Sequence, residues 1–361
     1  MQPLTGYERT RRMLYREPSD RIGAYEHFWG DTHKRYIEQG HIKPGENIAE
    51  HFELDIVEGG WFNLVLDMDF KHETVEETED TVLIRDGNGA VLRRHKHHDT
   101  TPEHVDFAIK TKADWDKVRE RLLEPDERRI GFEGYRNSKK YAKEKNKFFM
   151  WSGLSVFELM HPVCGHENLL AGMALEPEWI EDMVKIYSDQ IIHSQEILFE
   201  REGLPDGMFY YEDMGFKNKP FMSPAMYNEL IFPAHKRLVG FAKERGLPVV
   251  MHSCGFVEPL LPGMVEAGID CLNVIEVKAG MDLLRIYKNF GDRLSFMGGI
   301  DVRTLYSNDR AVIDNELETK IPVVKQNYGF CLHSDHSIPE TVHYETLKYF
   351  YEKAFELGKY S

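Results

Sequence analysis

The stretch Gly246-Leu247-Pro248-Val249-Val250-Met251-His252-Ser253-Cys254-Gly255 decides the fold. Gly246 and Pro248 end the helical pattern of residues 224–245, since glycine suits a helix C-terminus and proline cannot continue one. The apolar run that follows reads as a strand buried on both faces, as parallel strands are. It ends in His252, Ser253 and Cys254. Residues i and i+2 of a strand point to the same side, so His252 and Cys254 share a face at its C-terminal end. A helix stop, an apolar strand and reactive residues at the strand's far end form the unit that βα barrels repeat.

That unit recurs from residue 147 onward. Strands are expected at 148–153, 207–212, 248–252, 271–277, 294–298 and 329–333. Helices are expected at 178–200, 224–245, 257–267, 282–290, 309–328 and 341–358. In the first of these helices Ile180, Val184, Tyr187, Ile191 and Ile192 fall at helical spacing behind Pro177. Before residue 147 the order is less regular. Residues 21–28 and 55–61 are read as the first two barrel strands, 73–85 and 90–96 as a hairpin, and 103–110 as a further extended segment. Residues 114–123 and 126–145 are charged and helical. The expected architecture is a single α/β domain over residues 1–361, a (β/α)8 TIM barrel. Its N-terminal β-hairpin and helical elaboration occupies 1–146, and regular βα repeats occupy 147–361.

Composition narrows the function. The formal charge of −16 argues against nucleic acid and anionic membranes, both of which demand clustered Lys and Arg. The four cysteines are too scattered for a disulfide framework, and a reducing compartment suits metal-binding thiolates. The first residues lack a secretory pattern and no apolar run is long enough to span a bilayer, so a cytoplasmic protein is expected. Arg93-Arg94-His95-Lys96-His97-His98 follows the turn Asp86-Gly87-Asn88-Gly89 and reads as a solvated hairpin arm.

The metal-binding vocabulary lies at strand ends. His252 and Cys254 are joined by Cys331 in Gly329-Phe330-Cys331-Leu332-His333. Two thiolates with an imidazole suit zinc, and three protein ligands leave a fourth position for chemistry. The long separation of Cys331 from the pair excludes a zinc finger, so the fold must assemble such a site. Buried structural cysteines give the same pattern without a metal.

Several stretches resemble the uroporphyrinogen decarboxylase superfamily. They are Tyr211-Glu212-Asp213-Met214-Gly215-Phe216-Lys217, Phe221-Met222-Ser223-Pro224, Phe232-Pro233-Ala234-His235-Lys236-Arg237 and His252-Ser253-Cys254-Gly255. So do Glu266-Ala267-Gly268-Ile269-Asp270, Gly280-Met281-Asp282-Leu283 and Gly298-Gly299-Ile300-Asp301. The cobalamin-dependent methyltransferase branch carries a zinc motif His-x-Cys followed at long range by Cys, which His252, Cys254 and Cys331 match. The resemblance implies zinc as cofactor, a separate corrinoid protein as partner and a small methoxylated, aromatic methyl donor.

Further residues follow from position. Asp213 after a strand end is the first choice for the acid that protonates a leaving oxygen, with His333 and His336 as alternatives and Asp335 fixing the tautomer of His336. Only one of the neighbours Glu212 and Asp213 can face inward. Glu158, near a helix start, is a possible fourth ligand. His27, Trp29, Trp61, Phe62 and Tyr211 are expected to line the pocket. The decarboxylases carry an arginine-rich loop near the N-terminal strands, and here that region reads Arg21-Ile22-Gly23-Ala24-Tyr25-Glu26-His27-Phe28-Trp29. A ring-lined, weakly charged pocket suits an aryl methyl ether. Two other functions stay open: transfer from methyl-cobalamin to a thiol of the coenzyme M type, and a binding protein holding a structural zinc.

Overall fold

Uninterrupted apolar strands require cover on both faces, and the chain provides it as a barrel wrapped by helices. The structure is a computed structural model that describes residues 3–98 and 101–360. Among the described residues the strands are β1 (Gly23–Ala24), β2 (Ile56–Gly59), β3 (Glu73–Glu77), β4 (Thr81–Arg85), β5 (Val91–His95), β6 (Glu103–Asp106), β7 (Phe148–Leu154), β8 (Gly207–Tyr211), β9 (Val249–Ser253), β10 (Cys271–Val274), β11 (Ser295–Gly298) and β12 (Phe330–Leu332).

Eight of them form one parallel sheet in the order β1-β12-β11-β10-β9-β8-β7-β2. Asp55 N donates to Ala24 O at 2.8 Å and brings β2 back to β1, so the sheet curls into a (β/α)8 barrel. β3 to β6 form a separate antiparallel sheet inserted before β7. Inside the barrel Tyr25, Ile56, Phe148, Met150, Phe209, Val250, Cys271, Met297 and Cys331 pack together. The helix Gly6–Tyr15 closes the N-terminal end, inserting Met13 and Leu14 into that cluster. A capping box between Thr5 and Glu8 starts this helix.

The differences from the sequence reading have local causes. The strand expected over 21–28 shrinks to Gly23 and Ala24, which pair with Cys331 and Leu332 of β12. The hairpin expected from 73–85 and 90–96 is three strands, since Thr78 to Asp80 turn the chain within the first segment. The helix expected over 224–245 breaks at a π-turn, Tyr227–Ile231, before Phe232–Glu244, whose first turn holds Pro233. The helix whose start was expected near Glu158 runs over Val156–Leu175, and Pro162 and Gly165 (φ 77°) interrupt the periodicity that would have shown its extent.

Candidate metal centre at the barrel mouth

The C-terminal ends of β8 and β9 carry the site. Their following loops run backbone against backbone: Gly215 N donates to Cys254 O at 3.1 Å and Phe256 N to Phe216 O at 2.8 Å. Only glycine permits this approach. A Cβ on Gly255, whose φ is +78°, would lie 2.2 Å from the Gly215 carbonyl carbon. The approach places Asp213 beside Cys254, whose amide donates to Asp213 Oδ1 at 2.8 Å.

Asp213, His252 and Cys254 each offer one ligand atom, all within 4.8 Å of one another. His252 Nε2 lies 3.2 Å from Cys254 Sγ and 3.4 Å from Asp213 Oδ1. Tetrahedral zinc with ordinary bond lengths sets N to S at about 3.5 Å and N to O at about 3.3 Å. The spacing and the donor set therefore fit zinc.

The orientation of His252 fits as well. Its Nδ1 hydrogen-bonds the Asn273 side-chain oxygen, while Asn273 Nδ2 donates to Met297 O at 2.9 Å. The second bond fixes which end of the amide faces the ring, so Nδ1 carries the hydrogen and the Nε2 lone pair faces Cys254 and Asp213. Burial, then the charge of Asp213, pushes the Cys254 thiol well above its usual pKa, so a cation is needed to ionise it.

Glu212 faces the other way, as the pleat requires. Fully buried, it accepts from Phe157 N at 3.1 Å, Glu158 N at 3.0 Å and His235 Nε2 at 2.7 Å. It thereby holds the start of the helix Val156–Leu175 against β8. Glu158 stands beside the ligand group without joining it: it pairs with His161 at 3.0 Å, and burial raises its pKa.

A cavity of about 270 Å³ opens over the metal centre, lined by His27, Trp61, Tyr211, Val274, His333, His336 and Ser337 together with His252 and Cys254. Beneath it lies a hydrogen-bonded cluster with no motif in the sequence. Glu58 accepts from Tyr25 and, at 2.9 Å, from Tyr211. His27 Nε2 sits 3.0 Å from the Tyr25 hydroxyl and 2.9 Å from that of Tyr211, and His27 Nδ1 is 3.2 Å from His333 Nε2. Burial pushes Glu26 up to about 8 and His333 down to about 3. Burial likewise takes His27 well below the usual histidine range, so both rings of the cluster are neutral at pH 7.

Four residues stand elsewhere than the sequence reading expected. Cys331 lies outside the group formed by Asp213, His252 and Cys254. It points into the barrel interior with Cys271 and Met297, two residues before the mouth-lining His333 and therefore one layer deeper. Asp213 stands among the ligand atoms rather than apart from them as an acid. Phe62 turns away from the cavity and packs on Trp151, ring centroids 5.0 Å apart. Asp335 does not hold His336: its oxygens accept from Val277 N and Val302 N, both at 2.8 Å, which ties loops together. The other pocket residues lie at or near the mouth, with Trp29 at its edge, 6.2 Å from the His336 ring.

Residues 148–357, more than half of the chain, match the family model described as uroporphyrinogen decarboxylase (URO-D). The chain belongs to this family. A relative within reach by sequence is the methylated-thiol–coenzyme M methyltransferase of Methanosarcina mazei, 33% identical over 90 residues. The matched part is 24% of this URO-D family chain and 22% of that protein's length. The solved structure of a methyltransferase from Methanosarcina mazei superposes with a TM-score of 0.65 at 15% identity, covering 98% of this chain and 99% of the other. That likeness establishes the shared barrel. Among the described residues no helix is long and apolar enough to cross a membrane.

Proposed function

We propose that this URO-D family protein is a zinc-dependent methyltransferase that moves a methyl group from an uncharged O-methyl donor, an aryl methyl ether, to the cobalt of a separate corrinoid protein. One observation carries the reading: an N, S, O ligand group faces a ring-lined cavity whose lining contains no Lys or Arg. The names of the two relatives support methyl transfer as the reaction class.

His252, Cys254 and Asp213 would hold the zinc. Bound there, it supplies a Lewis acid for the donor's oxygen. The ether C–O bond breaks with its electron pair on oxygen, the methyl passes to the partner's reduced cobalt, and the oxygen takes a proton. Trp61 and Tyr211, with ring centroids 5.3 Å apart, form a wall against which an aromatic donor can stack. Among the three acids expected from sequence, His336 is the one free to act. Asp213 belongs to the ligand group, and both His333 nitrogens face partners, Ser334 O and His27. No hydrogen bond to a described residue engages the His336 ring.

A second reading, transfer from methyl-cobalamin to a thiol, is favoured by the 90-residue match to a coenzyme M methyltransferase. The same cavity weighs against an anionic thiol, because no cation lines it. Poly-carboxylate porphyrinogens meet the same obstacle. Arg21 turns to Asp55 at 3.3 Å and packs over the Phe355 ring, outside the cavity lining.

The test is incubation of the zinc-loaded protein with a reduced corrinoid protein and a panel of methoxyarenes. Release of the free phenol together with formation of methyl-cobalt is expected. Turnover of thiol with methyl-cobalamin and none of any ether would refute the assignment.

A further inference from the structure

Hydrogen-bond geometry fixes the protonation of Glu58. Ser334 O can only accept, so the His333 Nδ1 that faces it carries a hydrogen. His333 is neutral, which leaves its Nε2 bare, and the hydrogen of the 3.2 Å contact between the rings belongs to His27 Nδ1. His27 is neutral too, so its Nε2 is bare and must receive a hydrogen from Tyr25 at 3.0 Å or Tyr211 at 2.9 Å. Whichever tyrosine gives it has none left for Glu58. The contact between that hydroxyl and the carboxyl is then a hydrogen bond only if Glu58 supplies the hydrogen. Beside two neutral rings, Glu58 is an un-ionised acid.

Its surroundings agree. Burial raises its pKa, against the lowering pull of Tyr25, Tyr211 and Ser152. The titratable groups around it are Tyr25 and His27 after β1, Tyr211 on β8 and, farther off, His252 on β9. Among the described residues no Lys or Arg forms an ion pair with Glu58. Lys147, which borders the same cavity, donates to the Leu54 carbonyl instead.

The same hydrogens fit a second arrangement. If the Glu58 hydrogen moves to the tyrosine and the tyrosine hydrogen to His27 Nε2, a carboxylate accepts from both tyrosines and an imidazolium stands 3.9 Å from it. No hydrogen bond is lost. Separating charge inside the barrel is unfavourable on its own, so a negative charge nearby is needed to draw the proton across.

His27 lines the mouth cavity, where the ether oxygen gains that charge, and no Lys or Arg lines it. A permanent cation there would hold anions before the reaction as well as during it. A cation that forms only with the charge favours the transition state alone.

We propose that Glu58 stores a proton for the mouth cavity. As negative charge develops on the donor's oxygen, the Glu58 hydrogen passes to the intervening tyrosine, whose own hydrogen passes to His27, and the imidazolium so formed offsets the charge. When the product leaves, the proton returns to Glu58. The proposal rests on the methyltransferase reading for the origin of the charge, while the store itself is measured without cobalt or methyl transfer.

Infrared spectroscopy of the zinc-loaded full chain reads the store. An un-ionised carboxyl stretch that disappears in Glu58→Gln is expected in the wild type. That variant keeps a donor and an acceptor where the un-ionised acid has them, so its thermal midpoint and zinc content should match the wild type. Binding of 4-nitrophenol as its coloured phenolate should bleach the band. Glu58→Gln should bind this anion about tenfold more weakly and uncharged 4-nitroanisole equally well. His27→Gln removes the proton's acceptor; it should keep the band and lose the bleaching, and it decides the matter if Glu58→Gln does not fold. No such band in the wild type, a band unmoved by the bound anion, or no binding of the anion overturns the proposal. Bleaching in a protein that demethylates no ether would sink the functional reading and leave the store standing; demethylation with Glu58 ionised throughout would do the reverse.

Discussion

Asn273→Ala tests how the fold prepares its metal ligand. The amide oxygen of Asn273 receives the His252 Nδ1 hydrogen inside the barrel, and Asn273 itself is fully buried. Truncation frees the imidazole to rotate and to take the other tautomer, which places a hydrogen where the ligand lone pair should be. Loss of such an orienting partner lowers metal affinity by about 10- to 100-fold. That is about 1.4 to 2.7 kcal/mol of binding free energy. The stranded Nδ1–H costs a further ~1–3 kcal/mol of stability in the metal-free protein, a fall of a few degrees in thermal midpoint for a domain of this size. Zinc affinity is measured by competition with a chromophoric chelator, and unfolding by circular dichroism. Asn273→Asp keeps an acceptor at the same place and should recover most of the affinity. If folded Asn273→Ala binds zinc as tightly as the wild type, the orienting argument fails.

Gly255→Ala should separate the β8 and β9 loops, because its Cβ meets the Gly215 carbonyl carbon at 2.2 Å and φ is +78°; zinc content of the folded variant should fall below about half, and full occupancy would show that the loop approach is dispensable. Glu26→Gln addresses pH. Burial raises this carboxyl to about 8 in the folded chain against roughly 4.3 when unfolded, so the folded state keeps a proton the unfolded chain loses. Wild-type stability therefore declines from about pH 4 to pH 8 on this account, and the stability of Glu26→Gln relative to wild type should rise across that window and level off above it. A difference in unfolding midpoint that does not change with pH would contradict the burial argument.

The barrel was legible because parallel strands are apolar on both faces, and each of the eight expected barrel segments overlaps a strand of the sheet. His252, Cys254 and Asp213 were legible as residues at strand ends, and the i, i+2 rule put the first two on one face. Cys331 lies deeper than the sequence reading expected, because inward parity says nothing of depth. Inward residues of a barrel strand sit in layers two residues apart, and His333 takes the mouth layer that Cys331 was expected to reach. Asn273 and Glu58 were missed although each leaves a trace: a polar residue interrupting the apolar strands Cys271-Leu272-Asn273-Val274 and Ile56-Val57-Glu58-Gly59. Their partners come from other strands, so no local pattern names their role.

Zinc X-ray absorption on the purified protein tests the account most directly, because the two ligand sets differ in sulfur count. His252, Cys254 and Asp213 give one sulfur near ~2.3 Å with the remaining scatterers nitrogen or oxygen near ~2.0–2.1 Å. The spectrum of Cys331→Ala should superimpose on that of the wild type. Two sulfurs in the wild type, falling to one in Cys331→Ala, would contradict the assignment and return Cys331 to the metal.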